Sequence, residues 1–327
     1  MLDGKMIAVS VPAYKEELYI REVIDTMPDF VDTIVIVNDG SPDRTGEIID
    51  DAALSDPRVH PVHHEINQGL GQSLIDGYLE AKKLGADVVA VMAGDGQMAP
   101  HDLESVVRPI VKEQADYVKG NRLLRDEVID QMPRYRLIGN AFLSLLSKFA
   151  TGYWKSMDPQ CGYTAISGKA LSRIPIEKMI KGYGYNAHIL NMLNLANQRV
   201  AEVEVEPVYR DETSYIKLRS YIPTVSRLLI RLFWRRLFRK YVVRDFHPLA
   251  LMYLFSIAVS TLIIPPLLVW FSYHFIDDGI APQTTFITLA FSSMFAVFSL
   301  FFAMWLDMED NQRLWLDGSR IDVGPAA

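Results

Sequence analysis

Cysteine is almost missing from this sequence: Cys161 is the only one in 327 residues. An intramolecular disulfide framework and a cluster of cysteine metal ligands are therefore both excluded. Charge is sparse as well, at 22% Asp, Glu, Lys and Arg with a formal sum of −7, which argues against a globally basic nucleic-acid binder. No Gly-x-x-x-x-Gly-Lys-Ser/Thr occurs, and Gly69-Leu70-Gly71 does not extend to the dinucleotide fingerprint, so the P-loop and classical dinucleotide-binding readings are weak. What is present is apolar: 50% of the residues are hydrophobic, which excludes intrinsic disorder.

Two stretches lack charge altogether. Leu249 to Tyr273 and Ile280 to Leu306 contain no Asp, Glu, Lys or Arg, and each is long enough to cross a hydrocarbon core of about 30 Å as a helix. A helical hairpin buried in a soluble core is the alternative, and such lengths exceed ordinary core helices. Pro265 and Pro266 are expected to kink the first span. The loop between the spans, His274 to Gly279, carries Asp277 and Asp278 and no basic residue. Just before the first span, Lys217 to Arg244 holds nine basic and no acidic side chains, which leaves −16 for the rest of the chain. The positive-inside rule then predicts that both termini are cytoplasmic. Met6 to Val11 is too short an apolar run for a signal peptide and leads straight into Pro12. Within the basic segment Leu228, Leu229, Leu232, Phe233, Leu237 and Phe238 recur at helical spacing. This pattern predicts an amphipathic helix in the membrane interface with its cations towards lipid phosphates, the alternative being a solvated linker helix.

The first 215 or so residues alternate β-branched runs with amphipathic stretches, the pattern of an α/β domain. Strands are expected at Met6 to Val11, Thr33 to Val37, Val59 to His63 and Asp87 to Met92, and helices at Glu16 to Met27, Arg44 to Leu54 and Leu70 to Leu84. In a parallel doubly wound sheet the loops after the strands gather at the carboxyl edge. Those loops offer carboxylates among glycines: Glu16 and Glu17, Asp39, and Asp95. Such carboxylates suit Mg²⁺ or Mn²⁺ bridging to a diphosphate. Asp39 could equally be a turn residue of Asn38-Asp39-Gly40-Ser41. In a strand, His60 and His64 fall on one face and His63 on the other, which argues against a shared zinc site.

Six motifs occur in order: Val11-Pro12-Ala13-Tyr14-Lys15-Glu16-Glu17, Asn38-Asp39-Gly40-Ser41, Asn67-Gln68-Gly69-Leu70-Gly71, Gly94-Asp95-Gly96-Gln97, Gly120-Asn121-Arg122 and Asp158-Pro159-Gln160-Cys161-Gly162-Tyr163. In that order they resemble family-2 glycosyltransferases, in particular the polyprenyl-phosphate branch that includes dolichyl-phosphate mannose and glucose synthases. The resemblance covers residues 6 to about 218. It implies a GT-A (Rossmann-like) fold, a nucleotide diphosphate sugar donor such as a UDP- or GDP-sugar, a divalent metal, and inversion at the anomeric carbon. By resemblance Pro12, Ala13, Tyr14, Glu16, Asp39 and Gly69 line the nucleotide-sugar site, while Asp95 holds the metal on the diphosphate with help from Gln97. Two positions depart from the family pattern: Lys15 stands where Asn is usual, and Ala93 where the first acid of Asp-x-Asp is usual.

A phosphate monoester, with a second pKa near about 6, is already largely dianionic at neutral pH and relaxes the need for a general base. Tyr183-Gly184-Tyr185-Asn186-Ala187-His188 fits such an acceptor, since it lacks the acidic pair that resembling polysaccharide synthases carry there. Cations are then required, and Arg122, Arg134, Arg136, Arg210 and Lys217 are candidates. Arg210, Ser214 and Lys217 resemble the family's acceptor-phosphate loop. Asp158 falls near the anomeric centre by resemblance, as base or as orienting group, and Arg210 is placed with Asp95 and Asp158 among the catalytic residues. Cys161 reads as a small residue in a tight turn.

The expected organisation is a catalytic domain over 1–216, a basic interfacial segment over 217–247, two transmembrane helices over 248–306 and a cytoplasmic tail over 307–327. The expected activity is inverting transfer of a hexose to a polyisoprenyl phosphate at the cytoplasmic face of a lipid bilayer. The alternatives are transfer to a hydroxyl of a lipid-linked glycan or glycolipid, and a catalytically silent scaffold.

Overall fold

The computed structural model describes residues 1–122, 134–158, 161–206, 208, 218–277, 279, 282–317 and 321–323. The chain forms two compact units, Met1–Phe233 together with Arg313–Ala327, and Trp234–Gln312.

The first unit is built on an eight-stranded sheet of order β3-β2-β1-β4-β6-β5-β7-β8. β1 (Ile7–Ala13) is buried along its whole length because both of its faces are covered. Ile7, Val9 and Val11 enter one core and Ala8 the other, joined there by Val35 and Val37. β2 (Thr33–Asn38), β3 (Val59–His63) and β4 (Val88–Val91) pair parallel with it or with one another. This half is the parallel sheet the strand pattern predicts. Beyond β4 the sheet is mixed, not parallel: β6 (Thr164–Ser167) runs antiparallel between β4 and β5 (Tyr117–Asn121). β7 (Val200–Glu204) and the two-residue β8 (Trp315–Leu316) then continue parallel to β5. The four strands expected from the sequence pair as a parallel sheet; the direction of the later strands depends on how the chain crosses between them, which a buried four-residue run does not encode.

The helices of this unit are α1 (Ile20–Asp25), α2 (Thr45–Ser55), α3 (Leu70–Lys83), α4 (Leu103–Val111), α5 (Arg134–Thr151), α6 (Gly168–Arg173), α7 (Tyr185–Leu195) and the first part of α8 (Leu218–Phe238). α1 begins four residues later than its periodicity suggests. Lys15 takes a left-handed φ of 62°, and the chain makes a turn in which Tyr19 N donates to Glu16 O before the helix starts. The basic segment also differs from its sequence reading. Val225, Leu229 and Leu232 of α8 are buried against Leu143 and Ala150 of α5 and Ala187 of α7, so this part of the apolar stripe meets protein, not lipid.

In the second unit Pro248–Asp277 is one helix of 30 residues, and Gln283–Gln312 is another of 30. At 1.5 Å per residue each is about 45 Å long. Both are long and apolar enough to cross a membrane. The first comprises α9 (Pro248–Ala258), a π segment Val259–Ile263 and α10 (Ile264–Asp277); the second is α11. The prolines do not end the helix. The wide turn immediately before Pro265 and Pro266 absorbs the missing donor and the bulk of the rings. The two long helices meet where Ser256 Oγ donates to Ala296 O at 2.8 Å.

Two cations of the basic segment are buried here and do not face lipid phosphates. Arg236, 1% exposed, donates from Nη1 and Nη2 to the two Asp307 carboxylate oxygens at 2.6 Å each. Lys240 pairs with Asp310 at 2.8 Å and donates to Asn311 Oδ1 at 2.7 Å. Tyr241 donates its hydroxyl hydrogen towards Asp307 Oδ1 at 2.9 Å and lies 2.9 Å from Asp310 Oδ2. Opposite charges late in α11 outcompete lipid headgroups for these two side chains, whereas Arg227, Arg231, Arg239 and Arg244 remain exposed.

Candidate active site

The mixed topology brings all six motifs to one edge of the sheet. β1, β2, β4, β5 and β7 all end there, and the antiparallel β6 begins there, with Asp158 shortly before it within reach of Arg122 after β5.

The end of β1 ties its neighbours together. Asp39 N donates to Ala13 O at 2.9 Å, and Gly94 N to Pro12 O at 3.1 Å. The loop after β1 is pinned by Lys15 N to Ser41 Oγ at 3.1 Å and Glu16 N to Thr45 Oγ1 at 2.9 Å, which leaves the ring of Tyr14 exposed. Gly40 has φ +65°, and a Cβ there would lie 2.7 Å from Asn67 N. Only glycine lets the two loops come this close.

Asp39 is more than a turn residue. The turn itself is closed by Asn38, whose Oδ1 accepts from Ser41 N at 3.1 Å. The Asp39 carboxylate, 4% exposed, reaches the next loop and accepts from Gln68 N and Gly69 N, both at 2.8 Å. His64 Nδ1 lies 2.7 Å from Asp39 Oδ1, and its Nε2 lies 3.0 Å from Asp76 Oδ2, which also accepts from Gln72 Nε2 at 2.8 Å. Asp39 thus fixes the backbone that leads into α3, where Gly69 takes φ +92°. His63 turns away, contacting Asn38 Nδ2 at 3.1 Å and Asp50 Oδ1 at 3.0 Å, so the neighbouring histidines serve different loops.

Asp95 is partly exposed in the loop after β4, where its Oδ1 accepts from Gln97 N at 3.0 Å and Gly96 has φ +68°. Among the described residues no group of three or more His, Cys, Asp or Glu could hold a metal. A single accessible carboxylate fits a hard cation that takes most of its ligands from a diphosphate and water, and does not fit a closed protein cage.

On the other side of this edge Arg122 and Asp158 come together. Arg122 Nε donates to Asp158 Oδ2 at 2.9 Å and Nη2 to Oδ1 at 3.4 Å, with the carboxylate buried and the guanidinium 44% exposed. Cys161 is buried, and burial raises its thiol pKa, with Asp158 adding to the rise, as fits a packing residue. Arg134 and Arg136 open α5, but their side chains lie outside the described residues, as do Arg210, Ser214 and Lys217. Val208 N donates to Gln97 O at 3.3 Å, at this same edge. Three residues that bind these loops escape the motifs: His64, Asp76 and Glu202. Glu202 accepts from Asn121 Nδ2 at 2.9 Å and from Ser156 Oγ at 2.5 Å.

Residues 8–175 match the model of the glycosyl transferase family 2. A UDP-N-acetylglucosamine–dolichyl-phosphate N-acetylglucosaminyltransferase of Methanococcus voltae is 30% identical over 220 residues, 63% of this chain and 87% of that protein. A polyprenol monophosphomannose synthase of Mycolicibacterium smegmatis is 32% identical over 54% of this chain and 67% of its own. Among solved structures, glucosyl-3-phosphoglycerate synthase from Mycobacterium tuberculosis, in complex with Mn²⁺, uridine diphosphate and phosphoglyceric acid, superposes with a TM-score of 0.53. It is 20% identical, over 71% of this chain and 78% of that one, and supports the fold alone. With the sheet, its loop edge and a family match over more than half of its length, the chain belongs to glycosyl transferase family 2 and is a glycosyltransferase of GT-A fold.

Proposed function

We propose that the protein transfers a hexose, with inversion, from a nucleotide diphosphate sugar to a polyisoprenyl phosphate at the cytoplasmic face of a membrane. The observation that carries this reading is the Arg122–Asp158 pair. A hydroxyl acceptor needs a base to collect its proton. The buried Asp158 carboxylate is instead bonded to a guanidinium, which suits a group that orients the acceptor. A phosphate needs no base and does need cations.

The residues divide the work by loop. Pro12, Ala13, Tyr14 and Glu16 line the nucleoside side of the site, and Asp39 holds the Gln68–Gly69 backbone that borders it. Asp95, assisted by Gln97, would hold Mg²⁺ or Mn²⁺ against the diphosphate. When bound, the ion supplies charge neutralisation for the leaving group. The exposed guanidinium of Arg122, together with Arg134, Arg136, Arg210, Ser214 and Lys217, receives the acceptor phosphate. One phosphate oxygen attacks the anomeric carbon as its bond to the nucleotide diphosphate breaks, giving a glycosyl phosphate lipid and free nucleotide diphosphate. The two apolar helices hold the enzyme where the lipid tail can stay in hydrocarbon. Names of relatives such as the dolichyl-phosphate N-acetylglucosaminyltransferase support the same acceptor class.

The test is to reconstitute the full chain in liposomes with polyprenyl phosphate, Mn²⁺ and a panel of UDP- and GDP-sugars. Release of one nucleotide with a lipid product cleaved by mild acid is the expected result. An acid-stable glycoside would transfer the assignment to a hydroxyl acceptor, and no release with any donor would leave a scaffold.

A further inference from the structure

Glu202 sits mid-strand in β7, where alternation places it on the same face as the buried Val200 and opposite Ala201 and Val203. It is 7% exposed, and the parallel register sets it beside Lys119 of β5, whose Nζ is buried without a hydrogen-bond partner among the described residues. Burial raises the Glu202 carboxyl pKa and lowers that of the Lys119 ammonium. Such a pair is a poor device for stability, since apolar side chains of similar volume commonly serve a core as well or better.

What an apolar residue could not do is hydrogen-bond two separate segments of the chain together. Glu202 Oε2 accepts from Asn121 Nδ2 at 2.9 Å, at the end of β5. Its Oε1 accepts from Ser156 Oγ at 2.5 Å, and Met157 N donates to the same carboxylate at 3.1 Å to Oε2 and 3.3 Å to Oε1. The next residue after Asn121 is Arg122, and the next after Met157 is Asp158. One buried carboxylate therefore grips the residues immediately before both members of the ion pair at the reaction edge.

We propose that Glu202 is a positioning residue for the acceptor side of the reaction, fixing Arg122 and Asp158 relative to each other through Asn121, Ser156 and Met157. The proposal rests on the assignment of that pair to the acceptor site. A misplacement of about 1 Å at a reacting centre can cost about 10²-fold in rate. In liposomes the full-length Glu202→Gln variant, which puts an amide donor against three donors, should lose about that factor in kcat. Its donor KM, and its nucleotide affinity by calorimetry, should stay within about twofold of wild type. Ser156→Ala removes one donor with little disturbance of packing and should lower kcat by an intermediate factor, so the test survives if the glutamine variant does not fold.

Wild-type kcat in Ser156→Ala and in any folded Glu202→Gln would overturn the proposal, as would donor affinity falling in step with kcat. Asp158→Asn and Arg122→Ala separate the two levels of the argument. If both keep wild-type transfer, the acceptor-site assignment fails; if they are inactive while the Glu202 and Ser156 variants are not, only the positioning role fails.

Discussion

Lys15 shows how a departure from a family pattern becomes physical once its backbone is known. Its φ of 62° is a conformation that costs an ordinary L-residue about 1–2 kcal/mol and that Asn adopts more readily. Lys15→Asn should therefore raise stability by up to about 1 kcal/mol, read as a higher Tm, with donor KM unchanged. Asp95 carries a different expectation: Asp95→Ala should remove the Mn²⁺-dependent part of nucleotide binding in calorimetry while leaving thermal unfolding of the apoprotein in place. Asp39→Ala should do more harm, because it strands two backbone donors and His64 together. A loss of about 1–3 kcal/mol in stability, with weakened nucleotide affinity, is the expected reading. Asp39, Asp95, Arg122 and Asp158 are all legible in the sequence, because each sits in a short motif. Their holders are not: His64 reaches Asp39 from another loop and is itself held by Asp76 from a helix, and Glu202 meets Asn121 across 81 residues, so no local pattern announces them.

Among the elements, those with a strong period or an unbroken apolar run are legible: α2, α3, the parallel strands and the two long helices. What the sequence does not reveal is direction and partnership. β6 looks like any buried strand, yet its antiparallel course delivers Asp158 to the same edge as Arg122. The apolar stripe of α8 signals a partner without saying whether that partner is lipid or protein. The start of α3 illustrates partnership at close range. A Cβ at Gly71 would run into the Ile180 carbonyl oxygen, and Gly71 N donates to Lys181 O at 2.9 Å. Gly71→Ala should cost about 1–3 kcal/mol and loosen the loop that Asp39 grips, seen as a lower Tm and a higher donor KM. The Arg236–Asp307 pair behaves differently again. Removing one partner, as in Asp307→Asn or Arg236→Met, should destabilise the helical unit by about 3–5 kcal/mol in detergent, whereas exchanging both for apolar residues should cost far less.

At the scale of the whole molecule, the last residues change the plan that composition suggests. The segment expected to trail off as a tail first completes α11 to Gln312 and then returns to the sheet, where β8 pairs with β7 and Leu314 and Ile321 are buried in its two cores. Deleting the chain after Gln312 should therefore lower the Tm of the catalytic unit and speed its proteolysis, an effect that a solvated tail would not produce. The return also has a consequence for biogenesis. The sheet's edge strand is synthesised after both apolar helices, so a ribosome must finish the hairpin before the catalytic unit can close. A chain whose second helix failed to come back would leave an open β7 edge and two gaps in its core. Completion of the sheet thus reports completion of the helical hairpin, and a copy that stopped short of β8 would be recognisable to proteolysis by its open β7 edge.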